Sequence, residues 1–270
     1  MFSPIVSRML LLTGLCFISL TQAQESMPLP LNQLILESIR SMPTGGGYSA
    51  GATATQALRH AAHLSSVPQF EDSQPSPTNL VVDATHAEPS YCSGATYLVF
   101  LKVISALQNS HRVTLFTATF EALLPMGQPD GTGIWGRWNA NGPGTARLFY
   151  ELGLGHNFTS LSMAHPGDFL KIWWSDAIGA SEHGHSVIYM GTETRNGISY
   201  LSYWSSNVPG GFGVKTVPLS RIHRMLFSRL ENPDALNHIG SLPHSDRYLY
   251  SLQTRNSTVT EMNQLCGSAR

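Results

Sequence analysis

The chain has 270 residues, of which 42% are hydrophobic and 12% are charged, and its formal net charge at pH 7 is −1. A chain of this length and composition has enough material for one sizeable hydrophobic core. Because the net charge is close to zero and no run of lysine or arginine occurs, the sequence argues against a nucleic-acid partner and against attraction to an anionic membrane surface.

The first 23 residues have the organisation of a secretory signal peptide. Arg8 provides a basic start, residues 9–20 form a short apolar stretch, and the small residue Ala23 precedes the expected cleavage site. The apolar stretch is too short to span a bilayer comfortably, and no later segment is apolar enough to do so. We therefore expect an exported protein, periplasmic or secreted, without stable membrane insertion.

Residues 24–79 are expected to form an N-terminal segment with one helix and a proline-rich linker. The alanine-rich stretch SAGATATQALRHAAHLSS, which starts at Ser49, predicts the helix. The prolines and polar residues of VPQFEDSQPSPTN predict the linker that follows. From residue 80 onward the composition is that of a packed domain.

Residues 80–225 carry helical patterns first and strand patterns afterwards. A long apolar helix is expected over residues 92–107, and a glycine- and tryptophan-rich loop, GTGIWGRWNANGPG, comes later. PGDFLKIWW, GHSVIYMG and ISYLSYWSSN then predict strands, the last two joined through an Asn-Gly turn in ETRNG. This order predicts an α+β domain with an antiparallel sheet. The polar residues 226–270 carry no pattern that assigns them.

Loss of the signal peptide would leave two cysteines, Cys92 and Cys266. They could form a disulfide in an oxidising compartment, although Cys266 belongs to a polar tail with few apolar anchors. Cys92 stands where the polar residues EPSY give way to the long apolar helix. The free N–H groups of a helix start lower a thiol pKa and stabilise the oxyanion of an attacked carbonyl, which favours a nucleophile. A small side chain buried at a helix start is the other interpretation.

A nucleophilic thiol needs a base, and among the 11 histidines His185 is the candidate because it begins a clean strand. At that place it can face a helix packed across the sheet; His183 either shares this face or is a solvated loop residue. Pairing through ETRNG, with residue numbers that sum to about 390, places Ser205 opposite His185 and Asn207 diagonal to it. We prefer Asn207 as the third residue because its amide oxygen reaches further, although it could instead be a turn residue.

These motifs resemble those of the NlpC/P60 cysteine peptidases. YCSGATYLVF is similar to the Cys-Ser-Gly helix start of that family, PGDFLKIWW to its Pro-Gly-Asp-Leu strand, and GHSVIYMG to its Gly-His-Val-Gly-Ile-Tyr strand. The resemblance covers roughly residues 80–220. It implies a papain-like α+β fold in which a helix-borne cysteine packs against an antiparallel β-sheet. It also implies hydrolysis of amide bonds in peptidoglycan peptides, often the γ-D-glutamyl–diamino-acid bond, with no cofactor.

The sequence departs from the family pattern at three places. Tyr91 stands where many members have Asp or Asn, the third catalytic residue is Asn207 or Ser205 instead of histidine, and residues 111–160 look like an insertion. A divergent amidase of the wider superfamily fits these departures. Asp168, which follows a glycine in a turn, is interpreted as structural.

Four residues are candidates for substrate binding. Tyr91 and Ser93 flank the expected nucleophile, and Trp135 and Trp138 lie in the insertion. The two tryptophans, together with Asn139 and Asn141, would line a groove by stacking and hydrogen bonding. The alternative is that the tryptophans cap the core.

Two other functions remain open. His183 and His185 form a His-x-His pair to which His156 or His165 could add zinc ligands, but no HExxH or comparable carboxylate spacing accompanies them, so we assign no metal site. A non-catalytic exported protein that binds the cell wall on the same fold is the second alternative. The sequence does not indicate an oligomeric state.

Overall fold

The computed structural model describes residues 30–66 and 78–269, so the expected signal peptide and most of the expected linker lie outside the described residues. The α-helices are α1 (Leu31–Arg40), α2 (Ala52–Ala61), α3 (Cys92–Asn109), α4 (Thr117–Leu123), α5 (Gly133–Asn139), α6 (Gly144–Leu152), α7 (Arg247–Ser251) and α8 (Val259–Leu265). The strands are β1 (Gly45–Gly46), β2 (Ala62–Ser66), β3 (Thr78–Val82), β4 (Gly155–Phe158), β5 (Phe169–Trp173), β6 (His185–Arg195), β7 (Ile198–Asn207), β8 (Gly211–Pro218), β9 (Arg224–Leu230) and β10 (Ser268–Ala269). Short 3-10 helices occupy Ala84–His86, Leu161–Met163, Leu219–Arg221 and Pro233–Ser241.

Eight of these strands form one sheet in the order β1-β8-β7-β6-β5-β9-β4-β10. All neighbours in it run antiparallel except β10, which runs parallel to β4. Strands β2 and β3 form a separate antiparallel pair. Short connections join β6 to β7 and β7 to β8, which is how consecutive strands become antiparallel neighbours. The predicted α+β class with an antiparallel sheet is confirmed.

The register of the β6–β7 hairpin differs from the predicted one. The turn is the two-residue pair Asn196–Gly197, with φ of 50° and 75°, and not all of ETRNG. Positive φ at both positions is what a type I′ turn requires, and it lets the strands pair right up to the turn. An irregularity beyond Tyr189 shifts the pairing once, and Tyr189 then lies opposite Tyr203. Extending this register places Asn207, instead of Ser205, level with His185.

Helix α3 runs through the core, as its nearly all-round apolar surface predicts. It packs against β6 and β7 of the large sheet on one side and against α1 and β3 on the other. The helix begins at Cys92, with Tyr91 in an extended conformation at the N-cap position. Among the described residues, no helix combines the length and the apolar character that crossing a bilayer demands.

The N-terminal segment has two helices in its described part, α1 and α2, where the sequence predicts one. The predicted helix also ends earlier than expected, because residues 62–66 leave it and pair with β3 as strand β2. The buried residues Ile35 and Leu58 of this segment belong to the same apolar cluster as α3. The segment therefore packs on the core that residues 80–225 form.

The boundary predicted between residues 225 and 226 falls inside strand β9. This strand lies between β5 and β4 in the sheet, and its residues Leu226 and Phe227 are fully buried. The residues after 226 thus complete the sheet instead of forming a polar segment. Arg224 and Arg229 interrupt the apolar pattern of RMLFSRL. The sequence therefore does not predict this strand, although it is buried on both faces.

Asp168 fixes the turn that precedes β5. Its fully buried carboxylate accepts hydrogen bonds from the Arg229 guanidinium at 2.8 and 2.7 Å, from the Asn32 side chain at 2.9 Å and from the His165 backbone N–H at 2.7 Å. These bonds connect the turn to β9 and to α1. Asp168 has the structural role that the sequence predicts.

Candidate active site

Cys92 and Cys266 are both free thiols, and the disulfide considered from the sequence is absent. Cys266 is fully buried in an apolar cluster with Trp173, Leu226 and Met262, so it does not belong to a loose polar tail. Cys92 is half-buried at the first turn of α3. Only Cys92 of the pair therefore has the position of a group that reacts with an external molecule.

The environment of Cys92 favours the thiolate. Burial alone would raise the pKa of Cys92, but a hydrogen bond with His185, the positive charges of His185 and Lys171, and the Ser186 backbone N–H lower it to about 6. Burial raises the pKa of Cys266 to about 12, because nothing comparable opposes it. At neutral pH Cys92 is thus mostly the nucleophilic thiolate and Cys266 is the inert thiol.

Asn207 contacts the imidazole of His185, with Asn207 Oδ1 3.4 Å from His185 Nε2. The Asn207 side-chain amide donates to the backbone carbonyls of Ser205 at 3.2 Å and Gly213 at 2.9 Å. Because both amide hydrogens are used in this way, the amide oxygen is held toward the imidazole. The Ser205 hydroxyl donates instead to the Ser186 carbonyl at 2.7 Å, which leaves Asn207 as the partner of the histidine.

His185 does not face α3 across the sheet, as the sequence analysis expected. It shares a face of β6 with Val187 and Tyr189, which pack in the apolar cluster on the side of the sheet away from α3, and its ring meets that of Tyr203 edge-on at 5.6 Å. The thiol still lies near the imidazole because α3 begins beside the first residues of β6, and Cys92 and His185 line the same cavity. The two groups thus meet at the end of the sheet.

Tyr48 is a site residue that the sequence analysis missed. Its hydroxyl lies beside the Cys92 thiol and the Cys92 backbone N–H, and both residues line the cavities that open there. Burial and the adjacent negative charge of Cys92 raise the pKa of Tyr48, which keeps the phenol protonated. The Cys92 N–H and the Tyr48 O–H are both donors for the oxyanion that forms when a thiolate attacks a carbonyl.

Tyr48 reaches Cys92 through backbone pairing of distant residues. Tyr48 forms a parallel bridge with Ser90, supported by hydrogen bonds from Ser49 N–H to the Ser90 carbonyl and from Ser90 N–H to the Gly47 carbonyl. No local pattern in the sequence connects these two stretches. The only signal is the GGGY run, whose glycines at 45–47 all have positive φ.

Two cavities open beside Cys92. One, here called the lysine cavity, has a volume of about 280 Å³ and is lined by polar side chains that include Ser93, Asp130, Asn139, Asn141, Lys171 and His183. The other, the histidine cavity, has a volume of about 350 Å³ and is lined by residues that include Trp174, His185, Tyr203, Asn207, Lys215 and Arg221. Cys92, Tyr48 and Gly184 border both. The thiol lies between them, where it can meet the middle of an extended peptide.

Comparison of this chain with protein-family models, with curated proteins and with solved structures finds no match. Its chemistry therefore has to follow from Cys92, the groups that contact it and the two cavities.

The substrate-binding role predicted for Trp135 and Trp138 is wrong. Both side chains are buried in the core, and the Trp138 indole N–H donates to the Thr96 hydroxyl at 3.2 Å. Their segment, predicted as a loop, forms helix α5, which packs against α3. The same insertion does contribute to the site through Asn139 and Asn141, which line the lysine cavity.

Tyr91 and Ser93 line the lysine cavity, but their polar groups already have protein partners. The Ser93 hydroxyl donates to the Asn139 side chain at 2.6 Å, and the Tyr91 hydroxyl lies beside Thr55. The Tyr91 ring covers Gly94, where an added Cβ would lie 3.5 Å from it, so this glycine does not open the backbone to a substrate. Both residues form the wall of the cavity.

The histidines considered as zinc ligands do not converge. His156 forms an ion pair with Glu231 at 2.9 Å, and His183 lines the lysine cavity. In the ranges 30–66 and 78–269, no group of three or more His, Cys, Asp or Glu side chains is placed to hold a metal ion. The ligand set of a zinc hydrolase is not assembled there.

Proposed function

We propose that this chain is an exported cysteine amidase or peptidase that hydrolyses amide bonds in the peptides of cell-wall peptidoglycan. The observation that carries the proposal is that Cys92, whose pKa the neighbouring His185 lowers to about 6, lines one cavity with His185, which in turn contacts Asn207. A nucleophile, a base within hydrogen-bond reach and a third group that orients the base are what thiol hydrolysis needs. A merely structural cysteine would resemble Cys266, whose pKa is raised.

In the proposed reaction the Cys92 thiolate attacks the carbonyl carbon of the substrate amide and forms a C–S bond. The resulting oxyanion accepts hydrogen bonds from the Cys92 N–H and the Tyr48 hydroxyl. Protonated His185 gives its proton to the amine as the C–N bond breaks, which leaves a thioester on Cys92. Neutral His185 then takes a proton from water as the water oxygen attacks the thioester carbon. The C–S bond breaks, the carboxylic acid product leaves, and the Cys92 thiolate and protonated His185 are restored.

The peptidoglycan substrate is supported by the NlpC/P60 resemblance, by the secretory pattern of the first 23 residues and by the shape of the site. The papain-like arrangement that the resemblance implies agrees with a buried helix that begins at the nucleophile and packs on an antiparallel sheet. A cavity on each side of Cys92 suits a substrate that continues in both directions from the scissile bond. Both linings include charged side chains, which suits the charged peptides of the cell wall.

Digestion of purified peptidoglycan sacculi tests this proposal. The chain from residue 24 should release peptide fragments that mass spectrometry identifies by a single hydrolysed amide bond, and Cys92→Ala should release none. Cys266→Ala is the matched control, because it removes the other thiol and leaves the site intact. Equal release by Cys92→Ala would overturn the proposal. Sacculi that sediment with the protein but stay uncut would support the non-catalytic wall-binding alternative.

A further inference from the structure

Lys171 is a buried cation with too few partners. Its side chain is 7% exposed, and its only hydrogen bond within the described residues is to the Ser186 hydroxyl at 3.2 Å. A lysine ammonium has three N–H donors. Among the same residues, no carboxylate forms an ion pair with it. A buried ammonium in this state is costly unless an anion completes its coordination.

The position of Lys171 in β5 is one that an apolar side chain would normally occupy. Lys171 lies opposite Ser186 in the strand pairing, directly beside the residue pair that holds His185. Its neighbours on the same face of the strand are Phe169 and Trp173, both fully buried and apolar in their packing. An apolar side chain would fill this place without the cost of burying a charge, so packing alone does not explain the lysine.

A second buried donor lies beside Lys171. The Trp173 indole N–H has no acceptor in the described part of the chain. Gly184, whose φ is +77°, allows the backbone to pass close to both groups; a Cβ there would lie 2.6 Å from Lys171 Cε and 2.9 Å from Trp173 Nε1. Lys171 thus lines the cavity beside Cys92 with only one of its three N–H donors paired, and the Trp173 indole N–H behind Gly184 is a further donor without an acceptor.

The remaining lining of the lysine cavity suits a small ionic group. Asp130 provides one carboxylate, held by the Asn141 backbone N–H at 3.1 Å, and the side chains of Asn139, Asn141 and His183 add neutral or titratable polar groups. Burial lowers the pKa of Lys171, whereas the negative charges of Cys92, Asp130 and Glu182 oppose that decrease. The cavity volume of about 280 Å³ is sufficient for one amino-acid residue.

We propose that the lysine cavity is a subsite for a free carboxylate on the substrate residue next to the scissile bond, and that Lys171 is the cation that binds it. The identity of the ligand as a peptide rests on the proposed function, whereas the anion site itself does not depend on catalysis. Two peptide carboxylates have the required chemistry. One is the terminal carboxylate of a chain, and the other is the α-carboxylate that a γ-linked glutamyl residue leaves free.

The site can be tested without a substrate by comparing two alkylating agents on Cys92. Iodoacetate carries a carboxylate and iodoacetamide carries a neutral amide of nearly the same size. Both react with the same thiolate at a given pH, so their rate ratio is independent of the Cys92 pKa. Replacing Lys171 by Met should lower the ratio of iodoacetate rate to iodoacetamide rate about fivefold, the effect of one charge at about 4 Å in a water-like dielectric.

Two further variants make the test specific. Asp130→Asn removes the negative charge from the same cavity and should raise the ratio, which gives an effect of opposite sign should Lys171→Met fold poorly. Lys215→Met removes a positive charge from the histidine cavity, where the side chain is exposed and screened by salt, and should change the ratio less than twofold. Equal decreases of the rate ratio in Lys171→Met and Lys215→Met would indicate that any positive charge near Cys92 has the same effect. That result would overturn the subsite.

A Lys171→Met variant with a raised Cys92 pKa but an unchanged rate ratio would also overturn the subsite, since the lysine would then only tune the thiol. If the ratio responds as expected and sacculi stay uncut, the subsite stands and the proposed function fails. If sacculi are cut and the rate ratio does not respond, the proposed function stands and the subsite fails. An unreactive Cys92 would overturn both.

Synthetic peptides then separate the two carboxylate sources. Amidation of the α-carboxylate of a γ-linked glutamyl residue should lower kcat/KM about fivefold for the wild-type chain and leave it unchanged for Lys171→Met, if that group binds Lys171. The same pattern for amidation of the terminal carboxylate would identify the chain end instead. Indifference of the wild-type chain to both amidations would contradict the subsite.

Discussion

The imidazole of His185 and the side-chain amide of Asn207 lie 3.4 Å apart because the pairing of β6 with β7 sets the two residues level on adjacent strands. The two hydrogen bonds that the Asn207 amide donates to backbone carbonyls fix the direction of its oxygen. Such a group holds the ring of a catalytic histidine in one orientation and one tautomer. Its contribution to a reaction should therefore appear in kcat.

Replacement of Asn207 by Ala should lower kcat about 100-fold with little change in KM, since a misoriented base loses the geometry of proton transfer. Ser205→Ala is the matched control, because that hydroxyl bonds the Ser186 carbonyl and not the imidazole. It should cost about 1 kcal/mol of stability and leave kcat within about twofold of the wild-type value. Steady-state kinetics on a released muropeptide measure both. A drop for Ser205→Ala as large as that for Asn207→Ala would contradict the assignment.

The lowered pKa of Cys92 predicts a pH profile. The rate of alkylation of the native chain by iodoacetamide should rise with pH around a midpoint of about 6, whereas Cys266 should stay unmodified at pH 8. Mass spectrometry of the two tryptic peptides separates these rates. Between pH 6 and the ordinary thiol pKa, the unfolded chain holds a proton on Cys92 that the native chain lacks, so the contribution of Cys92 to stability rises with pH across this window and is lost as the pH falls through 6.

Removal of the imidazole should move that midpoint. In His185→Ala the burial of Cys92 is no longer opposed by the histidine, and the midpoint should increase by about three pH units. The thiolate fraction at pH 7 then falls about 100-fold, but the more basic thiolate is the better nucleophile, so the net rate at pH 7 should fall only about three- to sixfold. His183→Ala should keep a midpoint near 6, and an equal displacement in both variants would show that His185 has no specific role.

Replacement of Trp138 and of Trp174 should distinguish a tryptophan of the hydrophobic core from one of the candidate active site. Trp138 is fully buried and donates to Thr96, so Trp138→Ala should destabilise the fold by about 3–5 kcal/mol in urea denaturation. Trp174 is half-buried in the histidine cavity, 6.4 Å from the His185 ring, so Trp174→Ala should raise KM with a much smaller loss of stability. A raised KM for Trp138→Ala at unchanged stability would restore its predicted role in substrate binding.

Cys92 and His185 could be selected from the sequence because the signals that mark them are local. The change from EPSY to an apolar helix identifies the start of α3 at Cys92, and a glycine followed by an alternating stretch identifies β6 at His185. Asn207 is preferred to Ser205 from the sequence because its side chain is longer. The observed register adds a second reason, since it places Asn207 level with His185. The predicted register missed by two residues because the turn uses Asn196–Gly197 alone and the irregularity after Tyr189 then shifts the pairing back by one.

Tyr48 and Lys171 could not be predicted because distant pairings bring them to the site. Tyr48 reaches Cys92 through its backbone bridge to Ser90, and Lys171 reaches it through its register opposite Ser186. In the sequence, Lys171 is the single polar residue of the apolar run FLKIW, and no local pattern places it beside Cys92. Strand β9 was hidden for a related reason, since its apolar residues are few and adjacent and its burial is decided by β4 and β5 on either side.

The ion pair of Asp168 with Arg229 should matter far more to stability than that of Asp176 with Arg224. Asp168 is fully buried, and Asp168→Asn would leave the bidentate guanidinium of Arg229 without its counter-charge next to the turn that starts β5. The expected loss is about 3–5 kcal/mol.

Asp176 is 78% exposed, so Asp176→Asn removes a similar contact at 2.9 Å in solvent and should cost less than about 1 kcal/mol. Urea denaturation of both variants at low and at high salt measures the difference, because salt weakens only the exposed pair appreciably. Since Asp168 holds the turn that starts β5 and Lys171 lies three residues further along, the Asp168→Asn variant should also show a less selective iodoacetate reaction at Cys92. Equal, small losses for both variants would mean that the position of β5, and with it the place of Lys171 in the site, is set by the sheet alone.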